Sequence, residues 1–393
     1  MSEIVTVPIH DIAYGGDGVG KWDGMAVFVR GALPGEQVTV QITERKKKYA
    51  KAALRGVDVA SPSRIQPACG YAATCPGCAY QHVDYQQEVA WKQQQLQSLL
   101  QRVGGITAFP VSDPIASPQP VSYRNKIVMH AGQEGAFGYF GLDNRTVGDI
   151  SDCPLAVEPI REALHRYRHD IPGKKLSPGD RVTFRWTQAD GVISWRNESA
   201  PAEWLTESVN GQTWQVPAAA FWQVNPMASG LLLTQASRMI ASCAPQYLID
   251  LYCGSGFFGL ALADSCQSVL GVEIDKEAIR AAKANASQRG CDGVALVQGD
   301  AARLYPQAQS QVNPRETCVL VDPPRSGLSQ ALLGRLVRND GPAHILYVSC
   351  AADTLARDCK VLCGAGFQIT DLQLVDMFPR TAHFETLALL TRQ

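Results

Sequence analysis

The stretch Asp250–Leu262, DLYCGSGFFGLAL, decides the fold. An apolar strand, YLIDLY, runs into a glycine loop, and the loop opens a helix. Glycines at such a junction let backbone amides approach a ligand closely at the helix start. The Gly254-x-Gly256-x-x-Gly259 spacing matches a dinucleotide loop, so NAD is one option and an ordinary tight turn another. The next strand, SVLGVEI, carries an acid, Glu273, near its end. An acid there accepts hydrogen bonds from a ribose diol, so the two features together fit a nucleoside cofactor.

Outward from this point, residues 211–393 alternate between strand and helix. The strands are YLIDLY, SVLGVEI, VALVQGD, TCVLVD, AHILYVS, FQITDLQLVDMF and HFETLALL, with helical runs between the first six. That pattern predicts a doubly wound α/β domain. The last two strands are joined by a short Pro-Arg-Thr turn and are expected to pair antiparallel.

Residues 1–58 read as a small OB-like β-barrel. IVTVPIHDIA, MAVFVRGAL, EQVTVQITE and YAKAALRGVDV alternate as strands, broken by Gly15-Gly16-Asp17-Gly18, Asp23-Gly24 and Pro34-Gly35. The run Arg45-Lys46-Lys47-Lys48 beside Tyr49 is either a solvated loop or a hold on single-stranded nucleic acid. Residues 59–210 form a central region of mixed helix and strand. It holds a Gln-rich helix over 85–103 with Leu96, Leu99, Leu100 and Val103 as its apolar stripe, read as core.

The chain has 393 residues, 46% of them hydrophobic, and a formal net charge of −1. It is long enough for two or three domains. The charge balance argues against a uniformly basic nucleic-acid binder but leaves room for a local basic patch. No apolar run approaches the ~20 residues of a membrane span, and the first residues alternate like a strand rather than forming a signal-peptide core. The expectation is a cytoplasmic protein. Its twelve cysteines are then not disulfides. Cys69, Cys75 and Cys78 cluster, with Cys153 as a distant fourth, a set that suits structural zinc or a four-iron cluster.

Two further strand ends carry reactive groups. Val319-Leu320-Val321 ends in Asp322-Pro323-Pro324-Arg325, a carboxylate followed by a stiff loop for which hydride transfer has no evident need. Ile345–Val348 ends in Ser349-Cys350. Taken alone, Cys350 is a small hydrophobe closing a buried strand. Glu385 alone is an exposed strand acid, and Asp322 alone a turn residue before prolines. The three grouped at the edge of one crevice mark a site.

With these motifs in order, the chain resembles the S-adenosylmethionine-dependent RNA uracil-C5 methyltransferases, in the branch with an N-terminal TRAM domain and an iron–sulfur cluster. The resemblance runs through GGDGVGKWDGMAVFVRGALPGEQVTV, CPGCAYQHVDYQQEVAWK, YRNKIVMH, GYFGLDNRTVGDISDCPL, FWQVNPM, DLYCGSGFFGLAL, DPPRSGL, YVSC and HFETLALL. It implies a Rossmann-like methyltransferase domain behind the barrel and a central cluster-binding α+β domain. It also implies Cys350 as nucleophile, Glu385 as general base, and Gln223, Tyr252, Glu273 and Asp322 as S-adenosylmethionine contacts. Cys69, Cys75, Cys78 and Cys153 correspond to ligands of a [4Fe-4S] cluster, which the asymmetric spacing also favours over zinc. The implied partner is structured RNA, 23S ribosomal RNA in preference to a tRNA T-loop uridine, with no DNA or membrane and a monomeric state. The chain departs from the pattern at Ala351-Ala352, where Asn-Pro is usual, at Phe384, and at Gly259, where a hydroxyl residue is common.

Carbon 5 of uracil is a poor nucleophile. A thiolate added at carbon 6 makes carbon 5 an enolate carbon that can attack a sulfonium methyl. A carboxylate must then remove the carbon-5 proton before the thiolate leaves. Two rivals follow from the same residues: an RNA-binding or folding factor that has lost catalysis, and a redox protein using the cluster for electron transfer.

Overall fold

The structure is a computed structural model and describes residues 3–170 and 176–393. The N-terminal barrel closes from five strands, β1 (Ile4–Ile12), β2 (Asp17–Trp22), β3 (Met25–Arg30), β4 (Gln37–Arg45) and β5 (Tyr49–Val59), in the order β1-β2-β3-β5-β4. The sequence pattern predicts four strands, with the glycine stretch before Val19 as a break. Instead β2 begins inside it. A Cβ on Gly18 would lie 2.5 Å from the Ala32 carbonyl oxygen, and one on Gly20 2.3 Å from the Val7 side chain. These glycines permit close crossing of strands in a narrow barrel rather than a turn. Val7, Val27, Val29, Val38 and Val40 fill the interior.

The central sheet is β7-β6-β8-β9, from β6 (Lys126–Ala131), β7 (Phe137–Gly138), β8 (Arg181–Thr187) and β9 (Gly191–Arg196). Helix Glu158–His169 buries Ile160 and Leu164 against Ile127, Met129 and Phe184. The region therefore has a regular core of its own. Sequence alone hid it because β8 pairs with β6 across some fifty intervening residues, and periodicity reports only local order.

Two pieces of the 59–210 region pack with the C-terminal domain. Helix Tyr85–Arg102, capped by Asp84 through the Gln86 and Gln87 amides, buries Leu96 and Leu100 in one core with Leu355, Ala356 and Phe384, while Val103 stays exposed. Hairpin β10 (Trp204–Val209) and β11 (Gln212–Pro217) crosses residue 210. Its Gln215 amide donates to Asn285 Oδ1 at 2.7 Å, so the division at 210 drawn from the sequence falls in the turn of a hairpin that leans on the later domain.

The C-terminal sheet has seven strands: β12 (Tyr247–Leu251), β13 (Ser268–Glu273), β14 (Val294–Gln298), β15 (Thr317–Val321), β16 (His344–Ser349), β17 (Phe367–Val375) and β18 (Glu385–Arg392). Their order is β14-β13-β12-β15-β16-β18-β17. The first five run parallel, and β18 is antiparallel to both β16 and β17. All seven strands expected from the sequence are present. The order reverses between β12 and β15, which opens a crevice at their carboxyl ends where ligands bind in such sheets.

Candidate active site

The glycine loop leaves β12 through Tyr252, a non-glycine residue at φ 69°, then Gly254 at φ 54° and Gly256 at φ 88°. A Cβ on Gly254 would meet nothing within 4 Å, so this backbone borders open space a ligand can enter. Glu273, at the end of β13, accepts from the Gly254 amide at 2.9 Å and from the Asp275 amide at 2.8 Å. Each carboxylate oxygen keeps a lone pair free for a hydroxyl. Burial, then the charges of Asp300 and Asp358, raises the Tyr252 phenol to about 12, so it stays a neutral donor.

Gly259 has a reason of its own. Its amide donates to Asp250 Oδ2 at 2.8 Å, and a Cβ there would sit 2.7 Å from the same oxygen. A hydroxyl residue would collide with the buried acid. Asp250 is raised to about 8, chiefly by burial, and its Oδ1 has no partner among the described residues. An acid inside an otherwise apolar strand is its signal in the sequence.

Strand register assembles the second half of the crevice. In the β16–β18 pair Ser349 faces Thr386. Cys350, one residue beyond, therefore stands at the same edge as Glu385, one residue before. The Asp322 amide donates to the Leu251 carbonyl at 3.4 Å, which puts the Asp-Pro-Pro loop beside the end of β12. Burial raises the Cys350 thiol, and the charges of Glu385 and Asp322 add to this, to about 11. Glu385 is driven well above the carboxylate range by burial and then by Asp322. Burial also raises Asp322, to about 7. Glu385 Oε2 has no hydrogen-bond partner among the described residues. Arg325 opposes the shifts of both Cys350 and Glu385. It was not among the expected site residues, though it is the one cation of the DPPR loop.

The loops are tied down from behind. Asp358, fully buried, accepts from the Leu328 amide and from Tyr347 Oη, both at 2.8 Å, and Arg357 holds the Ser326 carbonyl at 2.9 Å. The turn leading into Glu385 is held by a buried charge network. Lys92 donates to Glu88 at 2.8 Å and to Asp376 at 2.9 Å, while the Arg380 amide donates to Glu88 at 2.7 Å. Gln223 lies in the loop before helix Pro226–Cys243; it is buried, and its Oε1 has no partner among the described residues. Buried oxygens without partners among the described residues, Asp250 Oδ1, Glu385 Oε2 and Gln223 Oε1, fit a polar ligand, since such groups are costly to leave unmet.

Cys69, Cys75, Cys78 and Cys153 line one recess with Tyr71, Tyr139 and Gln81. All four are free thiols, and burial raises Cys69, Cys75 and Cys78, with Cys153 adding to each shift. Among the described residues no group of three or more such side chains converges on a single metal-ion position. Arg30 of the barrel donates to the Cys78 carbonyl at 3.0 Å, and the Ala79 and Tyr80 amides donate to the Arg380 carbonyl. The recess is thus joined to both neighbouring domains.

Residues 203–393 match the family described as tRNA (Uracil-5-)-methyltransferase, and residues 2–54 match the TRAM domain. An uncharacterized RNA methyltransferase of Halalkalibacterium halodurans, BH0687, is 31% identical over 99% of this chain and 97% of its own length. Another from Caldanaerobacter subterraneus subsp. tengcongensis, TTE1812, is 30% identical over 100% and 99%. The crystal structure of Pyrococcus abyssi tRNA (uracil-54, C5)-methyltransferase in complex with S-adenosyl-L-homocysteine shares the fold, with a TM-score of 0.75 at 24% identity over the whole of both chains. The chain belongs to the S-adenosylmethionine-dependent RNA (uracil-5-)-methyltransferases and carries a TRAM domain ahead of its catalytic sheet.

Proposed function

We propose that the protein methylates carbon 5 of one uridine in structured RNA, with Cys350 as the attacking thiol and Glu385 as the base. The observation that carries this reading is the register of β16 and β18, which sets a thiol and a carboxylate at one sheet edge beside Asp322. S-adenosylmethionine, when bound, supplies an electrophilic methyl on a sulfonium. Glu273, Tyr252, Gln223 and Asp322 are the residues that would hold it. A positive charge beside Asp322 and Glu385 offsets their mutual repulsion and favours both the thiolate and the carboxylate.

The chain's own steps follow in order. Cys350 loses its proton to solvent and adds as the thiolate to carbon 6 of the uracil; the carbon 5–carbon 6 double bond breaks, and its electron pair passes to carbon 5 and the conjugated carbonyl. After methylation Glu385 takes the carbon-5 proton, the double bond re-forms, and the sulfur departs. The target base must leave its stack for the thiol to reach it. The preferred substrate is 23S ribosomal RNA, on the resemblance to the TRAM-and-cluster branch. A tRNA T-loop uridine is the second reading, favoured by the activity named for the P. abyssi enzyme.

Cys69, Cys75, Cys78 and Cys153 are the residues that would hold a [4Fe-4S] cluster. All four are free thiols on one recess, and the asymmetric spacing of the first three favours a cluster over zinc. The proposed site of action is the cytoplasm; no helix of the described residues is long and apolar enough to cross a membrane.

The test is a pair of variants supplied with RNA from a strain lacking the gene. Glu385→Gln should accumulate a methylated, denaturation-resistant protein–RNA adduct, and Cys350→Ala should form none. Methyl transfer surviving in Cys350→Ala would refute the nucleophile assignment. Mapping the methylated position by mass spectrometry separates the two RNA classes.

A further inference from the structure

The barrel reaches the catalytic edge through one side chain. Tyr14 stands in the turn between β1 and β2, which closes with the Ala13 amide on the Asp17 carbonyl and the Gly16 amide on the Ala13 carbonyl. Gly16 brings this turn against the rest of the protein: a Cβ there would lie 2.7 Å from the Ala79 methyl and 3.3 Å from the Tyr80 ring. Only glycine allows that approach, at φ 93°.

From this perch Tyr14 touches both arms of the site. Helix Ala352–Gly364 starts directly behind Cys350, and its N-cap residue, Ala351, has no side chain able to cap it. The first helical amide, Ala352 N–H, donates instead to Tyr14 Oη at 3.3 Å. The Tyr14 ring meets Phe384 edge to face, with centroids 6.1 Å apart at 79°. Phe384 immediately precedes Glu385. One residue from a separate domain therefore contacts the segment after the thiol and the segment before the carboxylate.

We propose that Tyr14 is a positioning residue for this reaction: its hydroxyl fixes the turn that carries Cys350, and its ring fixes the start of the strand that carries Glu385. The inference rests on the assignment of those two residues given above. The hydroxyl also takes over where a stiffer turn would do without it. A proline at 352 would have no N–H to donate, whereas the Ala351-Ala352 turn has one and hands it to the barrel. Burial raises Tyr14 to about 12, so the phenol stays neutral and keeps its lone pairs for the amide.

The experiment uses the full chain with RNA from a gene-deletion strain, and follows kcat, KM for RNA, and alkylation of Cys350 by iodoacetamide read by peptide mass spectrometry. Tyr14→Phe keeps the ring and loses the acceptor. It should lower kcat about fivefold, the worth of one hydrogen bond, leave KM in place, and change the Cys350 alkylation rate. Tyr14→Ala should cost about a hundredfold in kcat, the scale of a misplaced reacting group. Ala352→Pro removes the same hydrogen bond from the other side. It does so at a first-turn position that accepts proline, behind an Ala351 whose extended backbone (φ −140°, ψ 98°) is compatible with it. In that background Tyr14→Phe should add nothing.

Unchanged kcat and alkylation in Tyr14→Phe would overturn the proposal. So would a rise in KM alone, which would make Tyr14 an RNA contact, or additive effects with Ala352→Pro. Should Tyr14→Ala fail to fold, the other two variants still decide. Cys350→Ala, assayed alongside, tests the nucleophile separately, because alkylation of Cys350 reports the Tyr14 contact without any turnover.

Discussion

The proposed catalytic edge and the four-cysteine recess both carry cysteine, and they are built in opposite ways. Cys350 and Glu385 are placed by ladder pairing between β16 and β18, where a one-residue shift would turn each side chain to the other face. Cys69, Cys75, Cys78 and Cys153 are placed by turns and by contacts borrowed from elsewhere, Arg30 on one side and Arg380 on the other. A site set by register is rigid before any ligand arrives. A site set by loops draws its order from what it holds, because binding free energy then becomes folding free energy.

The sharpest way to break that contrast is to remove one sulfur from each site. Cys350→Ala should lower methyl transfer by about 10⁴-fold or more, as loss of a nucleophile does, with an unchanged melting temperature and intact binding of S-adenosylhomocysteine. Cys153→Ser should do the reverse, with iron content lost from anaerobically purified protein and a melting temperature lowered by several degrees, at about 2–4 °C for each kcal/mol. Stoichiometric zinc without iron in the parent protein would remove the cluster from the proposal. A large thermal shift in Cys350→Ala would erase the contrast itself.

Next in size is the network that couples the two regions. Lys92 is fully buried between Glu88 and Asp376. Lys92→Met would leave Asp376 buried without its cation and Glu88 with the Arg380 guanidinium at 3.4 Å, a loss of about 3–5 kcal/mol. Chemical denaturation would measure it, and a change below about 1 kcal/mol would show that the Arg380 turn is held by other means.

A smaller effect follows from charge at the catalytic edge. The Cys350 thiol is raised to about 11 in the ligand-free protein. A raised thiol is neutral at pH 7, and its reactive thiolate fraction grows as pH rises toward that value. Alkylation of Cys350 should therefore increase about tenfold per pH unit between pH 7 and 10. Bound S-adenosylmethionine should move the curve to lower pH, because its cation favours the thiolate. A plateau near pH 8 without ligand would mean the thiol is not shielded from solvent.

The smallest effect belongs to the barrel. In the basic run, Arg45 pairs with Asp23 at 2.7 Å and lies over the Trp22 ring, and Lys46 pairs with Glu44 at 2.7 Å. Lys47 and Lys48 are exposed. Neutralising these two should reduce the salt slope of RNA binding by about one unit each, whereas Arg45→Gln should change it less. An unchanged slope for the lysine pair would make the run a solvated loop.

Local pattern determined the parts of this protein that repeat on a local period. The seven strands of the catalytic sheet, the glycine loop at Gly254 and Gly256, the Asp-Pro-Pro loop and the Cys350 strand end are all legible as alternation, breakers and strand-end chemistry, and the order of motifs is enough to place the family. Tertiary structure decided what lies far apart along the chain. The β2 strand hidden in glycines depends on which strand crosses it. Helix Tyr85–Arg102 and the hairpin across residue 210 join the catalytic domain through contacts no periodicity encodes. Asp250, Arg325 and Tyr14 enter the site because burial, field and a hydrogen bond act through space, and separation along the chain says nothing about those distances.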